Sequence, residues 1–157
     1  MPDPDDIAAW QRLDARITTS GYLTRGDPAR LKALGVACVI NLAMPGSDHA
    51  LDGEATLMEV QGLAYVAIPV PFDAPEEAHF AEFCKAMERA AGAPVHVHCI
   101  ANWRVSAFFY RWNRLQGMNE STARSLMIRQ WDPVTSPHPS APAWARFVEA
   151  APRRVSS

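Results

Sequence analysis

The chain has few cysteines and no long apolar run. No segment approaches the ~18–20 consecutive apolar residues of a transmembrane helix, so we expect no membrane span. The N-terminal sequence MPDPDDIAAW is acidic, whereas a secretory signal is basic and then apolar, so export is not expected. Three cysteines, Cys38, Cys84 and Cys99, are too few and odd in number for a disulfide framework. These absences predict a protein of the reducing cytoplasm.

A strong excess of charge is also missing. The 157 residues are 48% apolar and 20% charged, which excludes a chain that is disordered throughout. A chain of this length can bury a sizeable core, and no low-complexity linker or internal repeat divides it. We therefore expect one domain over residues 1–157, with a core at about 17–150 and a flexible basic tail at 151–157.

The net charge of −2 argues against nucleic-acid binding, but the charges are unevenly distributed. Residues 1–90 carry 14 acidic and 7 basic side chains, whereas residues 91–157 carry 3 and 8. Such an asymmetry arises by chance or marks an anion-binding half of the chain, and composition leaves both explanations open. Four arginines would then either form a positive rim or lie on solvated helix faces: Arg111, Arg114, Arg124 and Arg129.

Short apolar, β-branched segments alternate with helical patterns. Residues 36–42, 64–70 and 94–99 predict strands that are covered on both faces, as in a parallel sheet. Capping residues, glycine stops and apolar stripes predict helices at 5–13, 27–35, 52–61, 76–91, 103–116, 119–130 and 144–149. The alternation predicts a single α/β domain with a central, mostly parallel sheet of four or five strands flanked by helices.

The most informative segment lies where the third predicted strand ends. Cys99 follows this strand directly, and Arg104 begins a long helix after the short loop 100–103. Ligands of open α/β sheets bind outside the carboxyl ends of the strands. The first turn of a helix offers unpaired N–H groups and partial positive charge, which bind anions and lower thiol pKa values. This placement favours a nucleophile and an anion-binding cation over a core cysteine and a surface arginine.

The sequence HCIANWR at 98–104, followed by Ser106, resembles the signature loop of the cysteine-dependent protein tyrosine and dual-specificity phosphatases. That signature reads His-Cys, five residues, Arg and Ser or Thr. The chain is more similar to small bacterial phosphatase-type proteins of the β-lactamase-hydrolase-like kind, in which Cys and Arg can be four residues apart. Segments 39–42 and 62–70 also resemble core strands of that superfamily. The resemblance covers about 17–130, and only 98–106 is specific.

The loop departs from the dual-specificity pattern in two ways. Only four residues separate Cys99 from Arg104, and none of them is the central glycine of that pattern. A four-residue spacer also occurs in rhodanese-like sulfurtransferases, whose cysteine carries a persulfide. Three hypotheses therefore stay open, namely a phosphatase, a rhodanese-like sulfurtransferase, and a non-catalytic relative that binds phosphate or protein.

The first hypothesis implies an enzyme without a cofactor that acts on a phosphorylated substrate, either protein phosphotyrosine or a small phosphoester. Cys99 would attack phosphorus and form phosphocysteine, while Arg104 and the loop amides stabilise the phosphate oxygens. The phosphate-binding residues would be Ile100, Ala101, Asn102, Trp103 and Arg104. His98 would orient the loop through ring hydrogen bonds, and Ser106 would hydrogen-bond the departing sulfur unless it is an ordinary first-turn serine.

A carboxylic acid must also protonate the leaving oxygen. Asp73 is the candidate, because it follows a predicted core strand between Pro71 and Pro75, although a turn or capping aspartate would look the same. Substitutes are the first-turn glutamates and two acids of another loop, namely Glu76, Glu77, Asp48 and Asp52.

His96 and His98 lie two residues apart on a predicted strand and so point to one face, a spacing that metal ligands also use. Metal-dependent hydrolases with this spacing need a barrel of ~200 residues or more, so we expect no metal. Cys38 and Cys84 fall in apolar stripes and are expected in the core, although either could pair with an oxidised Cys99.

Overall fold

The computed structural model describes residues 2–150, which form one α/β unit with a five-stranded sheet. The strands are β1 (Gln11–Arg12), β2 (Ile17–Ser20), β3 (Cys38–Asn41), β4 (Ala64–Ala67) and β5 (Val95–His98). The helices are α1 (Asp27–Ala33), α2 (Glu54–Val60), α3 (Glu77–Ala90), α4 (Trp103–Leu115), α5 (Glu120–Ile128) and α6 (Ala141–Glu149). The predicted fold class is confirmed, and the predicted tail at 151–157 lies outside the described residues.

The sheet has the order β1-β2-β5-β3-β4. All pairs are parallel except that of β1 with β2, which is antiparallel. Ser20, His98 and Asn41 lie side by side at one register position, so β2, β5 and β3 end at the same edge. The segments that leave these strands therefore meet at a single edge of the sheet, where α/β folds bind ligands.

Two sequence predictions are wrong in detail. Residues 5–13 form no helix, because this segment makes tertiary contacts instead: Ala8 O accepts a hydrogen bond from Gly21 N at 2.7 Å, and Trp10 stacks on His96. The strand predicted at 64–70 is shorter, and β4 is not buried on both faces. Ala64 and Ala67 are exposed because β4 is an edge strand that pairs only with β3.

The two faces of the sheet bury different side chains. Val95 and Val97 of β5 face the larger apolar core, which is completed by α3, α4, α5 and α6. On the other face, Leu31, Val39 and Met58 form a smaller core with α1 and α2. Successive residues of a strand point to opposite faces, so the histidines of β5 lie on this second face.

The helices are short enough to be covered by ordinary tertiary packing. Among residues 2–150, no helix combines the length and the apolar character needed to cross a bilayer.

Candidate active site

Cys99 lies directly beyond the carboxyl end of β5, with 1% of its surface exposed. Its backbone N–H donates to Ser20 O at 3.4 Å, which extends the pairing of β5 with β2 by one residue. The chain then turns through residues 100–102 and enters α4 at Trp103. The predicted arrangement of strand, cysteine, short loop and helix is therefore present in the structure.

The amides of residues 100–104 are unpaired. None of these five N–H groups donates a hydrogen bond to an atom of residues 2–150. The carbonyl of Ile100 is held instead, since it accepts from Tyr22 N at 2.9 Å. This contact requires Gly21, because a Cβ at that position would lie 2.5 Å from Ile100 O.

Asn102 is the residue at which the glycine-free loop turns into α4. It adopts a left-handed backbone conformation, with φ of 66°, immediately before α4. Asn is among the few residues that tolerate this region. Its side-chain Nδ2 donates to Ala9 O at 2.9 Å and to Thr19 Oγ1 at 3.0 Å. These bonds anchor Asn102 to β2 and to the segment before β1. The absence of glycine therefore does not prevent the turn into α4.

Arg104 lies in the first turn of α4 and is 7% exposed. Its Nη1 donates to Val70 O at 2.9 Å, and the ring centroid of Phe72 lies 5.7 Å from its Cζ. Within the described residues, the guanidinium makes no other hydrogen bond. One side of the group is thus anchored to the backbone after β4, which leaves Nε and Nη2 available to an anion.

Cys99 and Arg104 line the same cavity of about 210 Å³. Its other lining residues are Phe72, Ile100, Ala101, Trp103 and His138. Arg104 is the only permanent cation among them, and no carboxylate lines the cavity among residues 2–150. A nucleophile, a guanidinium and unpaired amides therefore surround a space that suits a small oxyanion.

An aromatic wall borders this cavity, made of Phe72, Trp103, Trp131 and His138. The rings of Trp103 and Trp131 stack with centroids 4.7 Å apart and an interplanar angle of 6°, and His138 meets Trp103 edge-on. Trp103 and His138 also line an adjoining open depression of about 520 Å³, with Trp131 and Asp132. The cavity therefore opens onto a larger aromatic surface.

The carboxylates proposed as the general acid do not line the cavity. Asp73 is exposed, while its neighbour Phe72 lines the cavity. Glu76 caps α3 together with His79, and Glu77 pairs with the buried Arg111. The two alternatives of the other loop, Asp48 and Asp52, are also exposed.

Ser106 faces away from the cavity. Its hydroxyl donates to Trp103 O at 3.0 Å, and the residue lines a separate, narrow space with Thr19, Phe109 and Met127. This is the ordinary bond of a serine in the first turns of a helix. In this structure the hydroxyl is therefore occupied by the helix backbone.

His98 contacts the loop through its ring and also binds a residue that the sequence did not reveal. The ring Nδ1 lies 3.2 Å from Cys99 O, and Nε2 lies 2.8 Å from Glu54 Oε2. Both side chains are buried, with 3% and 5% of their surface exposed. Glutamate in the first turn of a helix is common because it suits the helix dipole, so no sequence signal distinguished Glu54.

His96, the other histidine of β5, has no nitrogen lone pair available to a metal. His96 Nδ1 and Nε2 each lie 2.8 Å from a hydroxyl, of Thr18 and Ser20 respectively. The Ser20 hydroxyl donates to Gly21 O and so accepts from Nε2–H, while the Thr18 hydroxyl donates to Nδ1 of the neutral ring. Complete burial, and next the charge of His98, lower the pKa of His96 well below its usual value. Within residues 2–150, no three His, Cys, Asp or Glu side chains are grouped as metal ligands.

The other two cysteines lie in or against the apolar core, as predicted. Cys38 is paired with Val95, four residues before Cys99, so the Cα atoms of the two cysteines lie about 13 Å apart along the strand direction. A disulfide needs Cα atoms within about 7 Å, so Cys38 cannot pair with Cys99 in this fold. Burial raises the pKa of Cys38, and burial followed by the charge of Glu88 raises the pKa of Cys84 to about 11.

Of the two alternatives for the four arginines, a positive rim around this cavity is not found among the described residues. Arg111 is buried between the rings of Phe80 and Phe147 and pairs with Glu77. Arg124 pairs with Glu120, and Arg114 donates to Met118 O at 2.9 Å. None of the four arginines beyond Arg104 lines the cavity of Cys99. Arg111, Arg114 and Arg124 therefore serve packing and helix faces rather than the site.

No protein-family profile matches the chain, and no curated protein matches it either. Several solved structures do. TpbA from P. aeruginosa, crystallised with pTyr, is 16% identical, covers 94% of this chain and 93% of its own, and has a TM-score of 0.65. The catalytic core of SIW14, a PP-IP phosphatase from S. cerevisiae, is 12% identical, covers 93% and 87%, and has a TM-score of 0.73. At such identities these two proteins show the fold alone.

A closer relationship is found with a phosphatase-like protein of the DUF442 family from Shewanella putrefaciens. Its crystal structure is 33% identical to this chain, covers 92% of this chain and 93% of its own, and has a TM-score of 0.79. A second crystal structure of the same protein gives 32% identity and a TM-score of 0.78. The protein therefore belongs to the DUF442 family, within the superfamily of cysteine-based tyrosine and dual-specificity phosphatase-like proteins.

Proposed function

We propose that this protein is a phosphomonoesterase that acts through a phosphocysteine intermediate. The observation that carries the proposal is the joint presence of Cys99, Arg104 and the unpaired amides of 100–104 around one cavity at the start of α4. Backbone N–H groups and the positive end of a helix favour a dianion there, and a guanidinium binds two phosphate oxygens at once.

The reaction then has two steps. In the first, the Cys99 thiolate attacks phosphorus, so an S–P bond forms while the bond from phosphorus to the leaving oxygen breaks and that oxygen takes a proton. In the second, water attacks phosphorus and gives a proton to the carboxylate that protonated the leaving oxygen, the S–P bond breaks, and inorganic phosphate and the thiolate are released. Arg104 and the amides of 100–104 stabilise the charge on the equatorial oxygens in both steps.

The proton for the leaving oxygen is assigned to Asp73. Its neighbour Phe72 lines the cavity, so the carboxylate lies one residue from the lining and must turn toward the cavity to reach the leaving group. His138 cannot take this role in its present contacts. Its Nδ1 accepts a hydrogen bond from Ser140 N at 3.0 Å, so a neutral ring carries its proton on Nε2 and donates a hydrogen bond without releasing the proton.

The lining of the site favours an aromatic phosphate ester as substrate. A flat phenolic group fits against the aromatic wall, and aromatic pairs of this kind contribute about 0.5–1.5 kcal/mol. A densely phosphorylated ligand needs several cations, but Arg104 is the only lysine or arginine among the described lining residues of the cavity and the adjoining depression. A phosphotyrosine-like substrate is therefore favoured over an inositol pyrophosphate.

A rhodanese-like sulfurtransferase is the second candidate function. It is favoured by one observation, namely that no carboxylate of residues 2–150 lines the cavity of Cys99. A cysteine persulfide that transfers sulfur to cyanide needs no general acid for a leaving oxygen.

Hydrolysis of p-nitrophenyl phosphate tests the proposal, with the wild-type protein compared with Cys99→Ser and with Cys84→Ser as the matched control. We expect Cys99→Ser to lose activity, and Cys84→Ser, which changes a thiol outside the cavity, to keep it. Equal rates for wild type and Cys99→Ser would contradict the proposal. Thiocyanate formation from thiosulfate and cyanide that depends on Cys99, without hydrolysis of the ester, would favour the sulfurtransferase.

A further inference from the structure

The ring of His98 is bound between two hydrogen-bond acceptors. Cys99 O is a carbonyl and accepts only, and the Glu54 carboxylate, when ionised, also accepts only. A neutral imidazole has a single N–H and cannot satisfy both. Both bonds are made at once only when the pair holds two protons, either as an imidazolium beside a carboxylate or as an Nδ1–H imidazole that accepts from a protonated Glu54.

In both arrangements Nδ1 carries a hydrogen and donates it to Cys99 O. Glu54 therefore stabilises the Nδ1–H form of His98, because it gives the buried Nε2 a hydrogen-bond partner in both arrangements. A partner that fixes the tautomer and orientation of a functional histidine in this way is a recurrent device.

The bond to Cys99 O determines the direction of an amide in the site. The peptide linking Cys99 to Ile100 is trans and planar, so its carbonyl oxygen and its N–H point to opposite sides. With the oxygen held by His98, the Ile100 N–H is turned away from His98. The next peptide is fixed likewise, because Ile100 O accepts from Tyr22 N and the Ala101 N–H is turned away from Tyr22.

We propose that Glu54 is a positioning residue of the phosphate-binding loop, which acts through His98 to hold the Ile100 N–H toward the bound phosphate. The inference rests on the proposed function of the loop as a phosphate site. Glu54 touches neither the cavity of Cys99 nor a ligand in it, since His98 stands between them. Its role is therefore one of geometry.

Glu54 is buried among polar groups. It begins α2 directly after Gly53, whose φ of 68° places it in the left-handed region. Its second oxygen, Oε1, is buried and has no hydrogen bond of ordinary geometry among residues 2–150. Tyr65 lies beside it, and burial followed by the Glu54 charge raises the pKa of the phenol. The other titratable group facing His98 is the neutral His96, with ring centroids 6.2 Å apart.

The test compares Glu54→Gln with Glu54→Ala, and uses Glu59→Ala, an exposed position of the same helix, as the matched control. The Gln amide can donate to Nε2 and so preserves Nδ1–H, whereas Ala cannot. We expect Glu54→Ala to lower kcat/KM for p-nitrophenyl phosphate by about 10- to 100-fold, as for other lost positioning contacts. Its affinity for inorganic phosphate should fall as well, while Glu54→Gln and Glu59→Ala stay close to wild type.

Two measurements separate this inference from the proposed function. One is the activity of Cys99→Ser, and the other is calorimetric titration of the Glu54 variants with inorganic phosphate. Cys99→Ser as active as wild type would contradict the proposed function, whatever the Glu54 variants do. A Glu54→Ala variant that binds inorganic phosphate and hydrolyses p-nitrophenyl phosphate like wild type would contradict the positioning role, but not the proposed function. Equal losses in Glu54→Gln and Glu54→Ala would overturn the positioning role too, because charge would then matter instead of bond direction. Should Glu54→Ala not fold, Glu54→Met fills similar volume without a hydrogen bond and takes its place.

Discussion

The two faces of β5 bury side chains of opposite character. Val95 and Val97 point into the larger core, where they meet aromatic side chains of α3 and α4. His96 and His98 point to the other face, where both nitrogens of each ring have hydrogen-bond partners. Four consecutive residues of one strand therefore belong alternately to an apolar core and to a polar network.

The difference between these faces separates stability from function. Apolar burial is non-directional and stabilises the fold in proportion to the area removed from water. Buried polar groups contribute less net stability, but they fix the orientation of side chains and peptide groups, because each donor must meet its acceptor. We therefore assign the apolar face to holding the domain together and the polar face to holding the loop of Cys99 in one geometry.

The largest expected effect is on the apolar face. Phe83 is fully buried and meets the rings of Phe108, Phe109 and Trp112 edge-on. Phe83→Ala should lower the free energy of unfolding by about 3–5 kcal/mol through lost burial and a cavity. Urea unfolding measures this loss, and kcat/KM of the folded protein should not change. Lost activity in a variant of unchanged stability would contradict the separation of the two faces.

The next effect concerns the cation of the site. Arg104→Lys keeps the charge but removes the planar group that can bind two phosphate oxygens while Nη1 stays on Val70 O. We expect kcat/KM for p-nitrophenyl phosphate to fall by about 10²–10³-fold, as when an oxyanion donor is removed. Arg89→Lys, on an exposed position of α3, is the matched control. Similar steady-state rates for both variants would show that Arg104 does not contact the phosphate.

A smaller effect is expected on the polar face. His96→Asn cannot reach both hydroxyls, so Thr18 or Ser20 is left without its buried partner. We expect the free energy of unfolding to fall by about 1–3 kcal/mol at pH 7, measured by urea titration. An unchanged free energy of unfolding would mean that the network adds nothing to stability.

The wild-type protein and His96→Asn should also differ in how their free energy of unfolding depends on pH. His96 has its pKa lowered in the folded state, so below the unfolded value of 6.5 the unfolded chain binds a proton that the folded chain does not. Wild-type stability should therefore fall with pH by about 1.4 kcal/mol per unit below this value, until folded His96 titrates. His96→Asn lacks this contribution, so the stability gap between the proteins should narrow from pH 7 to pH 5. A constant gap would contradict a neutral, buried His96.

The smallest effect concerns the aromatic wall. Trp103→Leu removes the stacking partner of Trp131 beside the cavity. We expect KM for an aryl phosphate to rise by about fivefold, equivalent to about 1 kcal/mol, with no change for glycerol phosphate. The ratio of the two KM values is the readout. A parallel rise for both esters would assign Trp103 to the shape of the loop rather than to recognition of the aromatic group.

Sequence patterns predicted those features that depend on neighbours along the chain. The central strands and the helices follow from local apolar periodicity, and Cys99 and Arg104 are brought together by one strand, one loop and one helix turn. β1 and β2 were not predicted because they are short, and β2 carries Thr18, Thr19 and Ser20 instead of an apolar run. Their pairing depends on distant residues of β5.

The parts of the site that were missed come from distant segments. Glu54 lies 44 positions before His98, and only the parallel order of β3 and β5 brings α2 against the end of β5. Phe72, and not Asp73, occupies the cavity, since the short turn 71–74 decides which side chain faces inward. His138 comes from a loop with no periodic pattern. No regular spacing of residues along the sequence predicts these contacts.

Trapping the covalent intermediate tests the proposed reaction most directly. Wild-type protein is mixed with p-nitrophenyl phosphate, quenched with acid within the first turnover, digested, and mapped by mass spectrometry. We expect one phosphoryl group on the peptide that contains Cys99, and none in Cys99→Ser treated in the same way. Hydrolysis of the ester with no phosphoryl group on Cys99, or with one on another residue, would contradict catalysis through phosphocysteine.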